Sequence, residues 1–258
     1  MMKMILFVGW VLITYVGLAG EIVPNFSETI RLNQDKFKAE KTIVMLYDIG
    51  ADKMVVMTPN TSGVKFQMGS LIKPVIVDEA TKRNVVAWDS VIDCENGIMP
   101  VDGKMLRDVR PLGQLTVAEC LLKKSNIGAY KIFMKVGLSE IDARLKLFGI
   151  HGNKNPYEYS TGLHVIATPE QVMRLYASLS TKTRTAMKNA YTATTVPDNY
   201  FETNKYFPCM LGFIDVKGKT HILFVGMLKS SQSPYYADIV AKPLWQDIAA
   251  GLQKETNQ

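Results

Sequence analysis

With 258 residues, 47% of them hydrophobic and 21% charged, the chain has material for one large core or two small ones, and its composition excludes a disordered protein. The net charge of +6 suits anionic surroundings, but the lysines are scattered. The densest neighbours are Lys123-Lys124, and no basic run interleaved with aromatics marks a nucleic-acid partner.

The chain opens with Lys3 followed by an uncharged run, Met4 to Gly20, that ends in small residues, Gly17-Leu18-Ala19. As a helix this run would reach roughly 25 Å, slightly less than the roughly 30 Å hydrocarbon core of a bilayer. Residues 1–20 therefore read as a cleaved signal peptide or an uncleaved membrane anchor. Both place the body outside the cytoplasm, in the periplasm or cell envelope, and the second holds it at the inner membrane. Residues 21–40 are polar and read as a linker or a loose first helix. One folded domain is expected over 41–258.

Within that domain, Thr42 to Tyr47 and Lys53 to Met57 are β-rich runs joined by turn residues, which predicts a hairpin. From Ser70 the pattern turns helical, with Leu71, Ile72, Val75, Ile76 and Ala80 at three-to-four spacing. Pro74 places the start of that helix close to Ser70. Val85 to Gly113 reads as loop-rich. Leu115 to Val136 reads as one helix or two, broken near Ser125-Asn126. Glu140 to Phe148 is a further helix, and Thr168-Pro169 opens another, with Thr168 as its cap. Phe207 to Ile214, His221 to Leu228 and Tyr235 to Lys242 are β-like runs, and a closing helix carries Trp245, Ile248, Ala249 and Leu252 on one face. The order predicts an α+β fold: an antiparallel sheet of about five strands, made of the N-terminal hairpin and three C-terminal strands, flanked by helices, with a helical subdomain inserted between them.

The pattern Ser-x-x-Lys occurs at Ser62–Lys65 and at Ser70–Lys73. Ser62 sits in a Pro/Asn/Gly turn, where nothing fixes Lys65 against it. Ser70 opens a buried helix, and residues three apart on a helix share a face, so the Lys73 amine can reach the Ser70 hydroxyl as a base must. Burial disfavours an ammonium and leaves Lys73 able to accept a proton. A capping serine beside an unrelated lysine is the plain alternative. The histidines His151, His164 and His221 lack metal-ligand spacing, and no metal and no cofactor are expected. Cys94, Cys120 and Cys209 allow at most one disulfide and one free thiol.

The segment Phe66-Gln67-Met68-Gly69-Ser70-Leu71-Ile72-Lys73-Pro74 resembles the active-site serine segment of penicillin-binding protein transpeptidases. Further landmarks follow in that family's order. They are Cys94-Glu95-Asn96-Gly97, the Arg107-Asp108 step, Leu115-Thr116-Val117, Lys124-Ser125-Asn126-Ile127-Gly128, Ala167-Thr168-Pro169-Glu170-Gln171, Phe224-Val225-Gly226 and Tyr235-Tyr236-Ala237. The similarity spans about residues 41 to 245, and the division-type class of the FtsI kind is the nearest in look. It implies serine acyl transfer, in which Ser70 attacks the D-Ala-D-Ala bond of a peptidoglycan stem peptide with Lys73 as base, and β-lactams acylate the same serine. Cell-division or cell-wall synthesis proteins are the implied protein partners.

Two departures stand out. The family's second motif, Ser-x-Asn, aligns with Lys124-Ser125-Asn126, so a lysine takes the place of the serine, and Ser125 is the middle residue. The third motif, Lys-Thr-Gly, is not found. Lys219-Thr220-His221 lies in the turn before the penultimate strand, and counting back from Phe224 puts the motif near Lys205-Tyr206-Phe207-Pro208. On that alignment Lys205 keeps the lysine, whereas Pro208 falls where the family uses a backbone N–H as second oxyanion donor, and proline has none. The expectation is a penicillin-binding-protein-like fold with impaired catalysis. A non-catalytic module that binds peptidoglycan or a division partner, and a β-lactam hydrolase or sensor, remain open.

Overall fold

The computed structural model describes residues 26–58, 63–197, 204–230 and 236–254. Helix α1 (Ser27–Lys36) precedes strands β1 (Lys41–Asp48) and β2 (Lys53–Met57). The expected linker thus contains a helix, the second of its two sequence readings. Short strand β3 (Phe66–Gln67) and a 3-10 turn (Gly69–Ile72) lead into α2 (Lys73–Lys82). The segment expected to be loop-rich carries three short strands, β4 (Val91–Asp93), β5 (Ile98–Val101) and β6 (Lys104–Arg107). Then come β7 (Gln114–Thr116), α3 (Val117–Leu122), α4 (Asn126–Val136), α5 (Leu138–Lys146), β8 (His151–Gly152), α6 (Pro156–Thr161), β9 (Val165–Ala167), α7 (Pro169–Ala177) and α8 (Thr181–Ala186). Strands β10 (Ala190–Thr195), β11 (Lys205–Val216) and β12 (Lys219–Ser230) and helix α9 (Ala237–Lys254) complete the chain.

The α+β architecture expected from the sequence is present: a five-stranded antiparallel sheet in the order β10-β11-β12-β1-β2, with helices on both faces. The two-residue period of its strands divides their side chains between two cores. Ile43, Met45, Tyr47, Cys209, Leu211, Ile222 and Phe224 face the helical subdomain. Val44, Leu46, Met210, Leu223, Val225 and Met227 face Val240, Ala241, Leu244 and Ile248 of α9. A strand covered on both faces is apolar at every position, which is why β1 reads as a continuous run.

One strand was misplaced by the sequence reading. Tyr235 lies outside the described residues, but the rest of that expected strand is helix from Ala237 onward, so the third C-terminal strand is β10 instead. The residues up to Lys242 form the first part of α9, which carries Pro243 in its interior. The turn between β11 and β12 is also tighter than expected. Only Lys217 and Gly218 intervene, both at positive φ (53° and 72°), the geometry of a type I′ hairpin. Lys219-Thr220 therefore begins a strand rather than lying in the turn. The apolar run 4–20 and Ser62 fall outside the described residues. Among the described residues no helix is long and apolar enough to cross a membrane.

Candidate active site

Ser70 lies in the 3-10 turn that opens α2, and three neighbouring segments hold that turn in place. The amides of Met68 and Gly69 donate to Val165 O (2.8 Å) and Gly162 O (3.1 Å), and Tyr176 Oη donates to Leu71 O at 2.8 Å. Thr195 Oγ1 of β10 donates to Gln67 O. Beneath the turn, Phe66 packs on Phe207 and Phe224 with ring centroids 4.8 and 6.0 Å away. Aromatic pairs of this kind contribute about 0.5–1.5 kcal/mol each beyond their buried area.

Lys73 is the best-enclosed charge-bearing group of the site, 1% exposed, and its Nζ makes three hydrogen bonds. It donates to Ser70 Oγ (2.9 Å), Lys124 O (2.8 Å) and Asn126 Oδ1 (2.7 Å). Burial, opposed by the Asp108 carboxylate and assisted by the Lys124 ammonium, lowers its pKa from 10.5 to about 7. The geometry serves both protonation states. As an ammonium, Lys73 donates three times; as an amine, it keeps two donors for Lys124 O and Asn126 Oδ1 and turns its lone pair to the Ser70 hydroxyl.

The three residues 124–126 diverge. Lys124 has φ +57°, a left-handed conformation that costs a non-glycine residue about 1 kcal/mol or more. That turn aims its carbonyl at Lys73. Its side chain runs the other way, to the Thr192 hydroxyl on β10, with Nζ 5.3 Å from the Tyr191 ring centroid. Thr192 in turn donates to Asp238 Oδ1 of α9 at 3.0 Å. Ser125 points away from the cleft and is buried. Its Oγ donates to Asp108 Oδ2 at 2.8 Å and caps α4 by accepting from Gly128 N at 2.8 Å. Asn126 returns to the site, its Nδ2 anchored on Arg107 O at 2.6 Å.

Asp108 was noted in sequence only as a landmark, and it organises this corner. Its carboxylate accepts from the amides of Asn126 and Ile127 and from Ser125 Oγ, at the start of α4, where an anion is favoured.

Lys205 is not in the site. It lies on β11, pairs with Glu40, and stands beyond the stretch of β11, Phe207 to Gly212, that pairs with β10, the strand beside Ser70. The strand beside Ser70 is the sheet's edge strand, β10, with Tyr191-Thr192-Ala193-Thr194-Thr195 running along the cleft. Pro208 is correspondingly an inner-strand residue opposite Thr194, and pairing of β11 with β12 lapses at Phe207-Pro208 before resuming in the same register. The missing N–H thus interrupts the inner ladder and not the cleft edge. Counting back from Phe224 failed because β11 is a long strand of 12 residues, and β10 is short and lacks an apolar run.

On the side of β10 that faces β11, Phe213 N donates to Asn189 O at 2.6 Å. In an antiparallel pair alternate residues face the partner strand, so Tyr191, Ala193 and Thr195 direct their backbone groups to β11. The amides of Thr192 and Thr194 face the cleft.

Residues 34–182 match the penicillin binding protein transpeptidase domain. The chain belongs to that family. This transpeptidase domain is 21% identical over 268 residues to the peptidoglycan D,D-transpeptidase FtsI of Buchnera aphidicola subsp. Baizongia pistaciae, a match that covers 74% of this chain and 46% of that protein. It is 25% identical over 184 residues to FtsI of Escherichia coli K12, covering 55% of this chain and 31% of that protein. The chain thus spans less than half the length of these curated relatives. Two solved structures share the fold. The apo transpeptidase domain of Burkholderia pseudomallei penicillin-binding protein 3 superposes with a TM-score of 0.76 at 17% identity, covering 90% of this chain and 93% of that one. A Burkholderia ambifaria structure described as a peptidoglycan glycosyltransferase gives 0.75 at 18% identity, covering 90% and 94%.

Proposed function

We propose that Ser70 is an acylatable nucleophile with Lys73 as its general base, and that the domain acts on the D-Ala-D-Ala end of peptidoglycan stem peptides and is acylated by β-lactams. The observation that carries this reading is the Ser70 Oγ–Lys73 Nζ hydrogen bond of 2.9 Å, made to a lysine whose burial brings its pKa to about 7. A base poised near the working pH combines a usable fraction of neutral amine with a useful driving force. Ser70 attacks the carbonyl carbon as Lys73 takes the hydroxyl proton. The proton then passes to the leaving nitrogen, and the acyl group stays on Ser70 until an amine or water removes it. The amide of Thr194, on the cleft edge of β10, is suited to donate to the oxyanion.

Catalysis is expected to be weaker than the family pattern implies. The edge strand beside Ser70, Ala190-Tyr191-Thr192-Ala193-Thr194-Thr195, carries neither a lysine nor a glycine to serve as the third motif. A cation is nonetheless present, supplied from the opposite wall by Lys124. The same feature favours a second reading, a non-catalytic module that binds peptidoglycan or a cell-wall synthesis partner, because the Lys124 side chain lies across the groove onto Thr192. Location in the periplasm, with residues 4–20 as signal or anchor, belongs to this proposal too.

Incubating the purified protein with a labelled penicillin, followed by mass spectrometry, separates the readings. A Ser70 adduct that disappears in Ser70→Ala supports acylation. Folded protein that stays unlabelled at high drug concentration supports the binding module. Rapid drug turnover would instead indicate a β-lactam hydrolase.

A further inference from the structure

Behind the 124–126 turn lie two thiols that acyl transfer does not use. Cys94 and Cys120 are 26 positions apart, both buried (0% and 2% exposed), with Sγ atoms 3.9 Å from each other. Neither is a metal ligand in waiting: among the described residues no group of three or more His, Cys, Asp or Glu side chains is placed to hold an ion. We propose that Cys94 and Cys120 are a dithiol–disulfide pair whose oxidised form staples the wall that presents Lys124 O and Asn126 to Lys73.

Closing the bond requires the sulfurs to approach by roughly 1.9 Å, to the 2.0 Å of a disulfide. The thiols are in contact in the folded chain, so the fold already brings the two positions together. Either thiol can donate to the other, so either sulfur can act first. The exchange takes place during folding, before the pair is buried: one cysteine, as its thiolate, attacks an external low-molecular-weight disulfide and displaces one thiol from it. The second cysteine, deprotonated, then attacks the protein sulfur of that mixed disulfide and releases the second thiol, so two protons and two electrons leave the protein and the external disulfide is reduced. Cys209, on β11 with its sulfur 3.5 Å from Ala193 O and its thiol pushed up by burial, takes no part.

The location gives the bond a consequence. The Cys120 carbonyl accepts from Ser125 N at 3.0 Å, Cys94 N donates to Gly113 O at 3.0 Å, and the Cys120 sulfur packs against Gly128, where an added Cβ would lie 2.6 Å from it. A covalent link between these positions restrains the left-handed Lys124 turn from behind.

The test uses the full chain, refolded in a glutathione and glutathione-disulfide buffer, with a parallel sample kept in excess dithiothreitol and folding checked by circular dichroism. Alkylation in denaturant and peptide mapping then locate the thiols. The expected result is a chain lighter by about 2 Da, with Cys94 and Cys120 joined and Cys209 alkylated. Cys209→Ala should form the same bond, and the oxidised protein should unfold at higher denaturant than the reduced one. Three alkylated thiols in folded protein, or a crosslink that includes Cys209, overturns the proposal.

Discussion

Lys73 Nζ sits 2.9 Å from Ser70 Oγ while also donating to Lys124 O and Asn126 Oδ1, so the one side chain that can activate the serine also ties α2 to the start of α4. Its titration then governs two measurable properties. Acylation of Ser70 by a labelled penicillin should rise with pH through about 7 and level off above it, as the amine form accumulates. Lys73→Ala should lose about a hundred- to ten-thousand-fold of the rate. For stability, unfolded Lys73 keeps its proton up to its ordinary 10.5, whereas the folded chain releases it at about 7. Between those values the unfolded state binds more protons, so the contribution of this group to stability rises with pH across that window. Urea titrations of wild type and Lys73→Met check the sign, because the methionine variant should lack that rise.

The charges flanking Lys73 act in opposite senses. The Lys124 ammonium pushes its pKa down and the Asp108 carboxylate pushes it up. Lys124→Ala should therefore move the midpoint of the acylation profile to higher pH, both by removing that cation and by opening Lys73 to water. Asp108→Asn should move it to lower pH. That variant also weakens the hydrogen bonds to Ser125, Asn126 and Ile127 and should cost about 1–3 kcal/mol in denaturant unfolding. Shifts of the same sign in both variants would contradict an electrostatic origin.

Most of the sheet is legible in sequence because its inner strands are covered on both faces. β1, β11 and β12 read as apolar runs, and the Thr168 cap of α7 carries its capping box with Gln171 in plain view. β10 is not legible for the same physical reason inverted. It is an edge strand with one side given to the cleft, so it is built of Ala, Tyr and Thr and shows no hydrophobic run. Ser70 and Lys73 could be paired from helical spacing together with the resemblance of Phe66–Pro74 to the family's serine segment, and the inward position of Ser125 follows from its role as the α4 cap. The path of Lys124 across the cleft depends on a left-handed residue in the α3–α4 turn, and nothing in its composition announces that conformation.

Gly162 sets the position of the Ser70 turn through close contact. Its φ is +74°, and an added Cβ would lie 2.2 Å from Gly69 O and 2.5 Å from Gly69 N. Those are backbone atoms, which cannot swing aside as a flexible side chain can. Gly162→Ala should therefore destabilise the domain by about 1–3 kcal/mol through crowding, with a further cost of about 1 kcal/mol for the left-handed backbone. It should also slow acylation, because the displaced atoms immediately precede Ser70. Urea unfolding and penicillin labelling report the two effects separately. A variant that unfolds earlier but labels at the wild-type rate would show that this contact supports the fold alone.

Thr194 offers a sharper test of the cleft edge. Its amide faces away from β11 by the alternation of the pair, and its carbonyl oxygen lies 3.9 Å from where a Gly69 Cβ would stand. Its hydroxyl has a separate duty, accepting from Ala237 N at 2.8 Å at the start of α9. Thr194→Pro removes the amide and the hydroxyl together, whereas Thr194→Val removes the hydroxyl only. Proline is tolerated on an edge strand where the lost N–H faces outward, so both variants should keep the fold by circular dichroism. If the Thr194 amide holds the oxyanion, the proline variant should acylate about a hundred- to a thousand-fold more slowly and the valine variant within a few-fold of wild type. Equal rates in the two variants would remove Thr194 from the chemistry and leave β10 as a docking edge for substrate backbone.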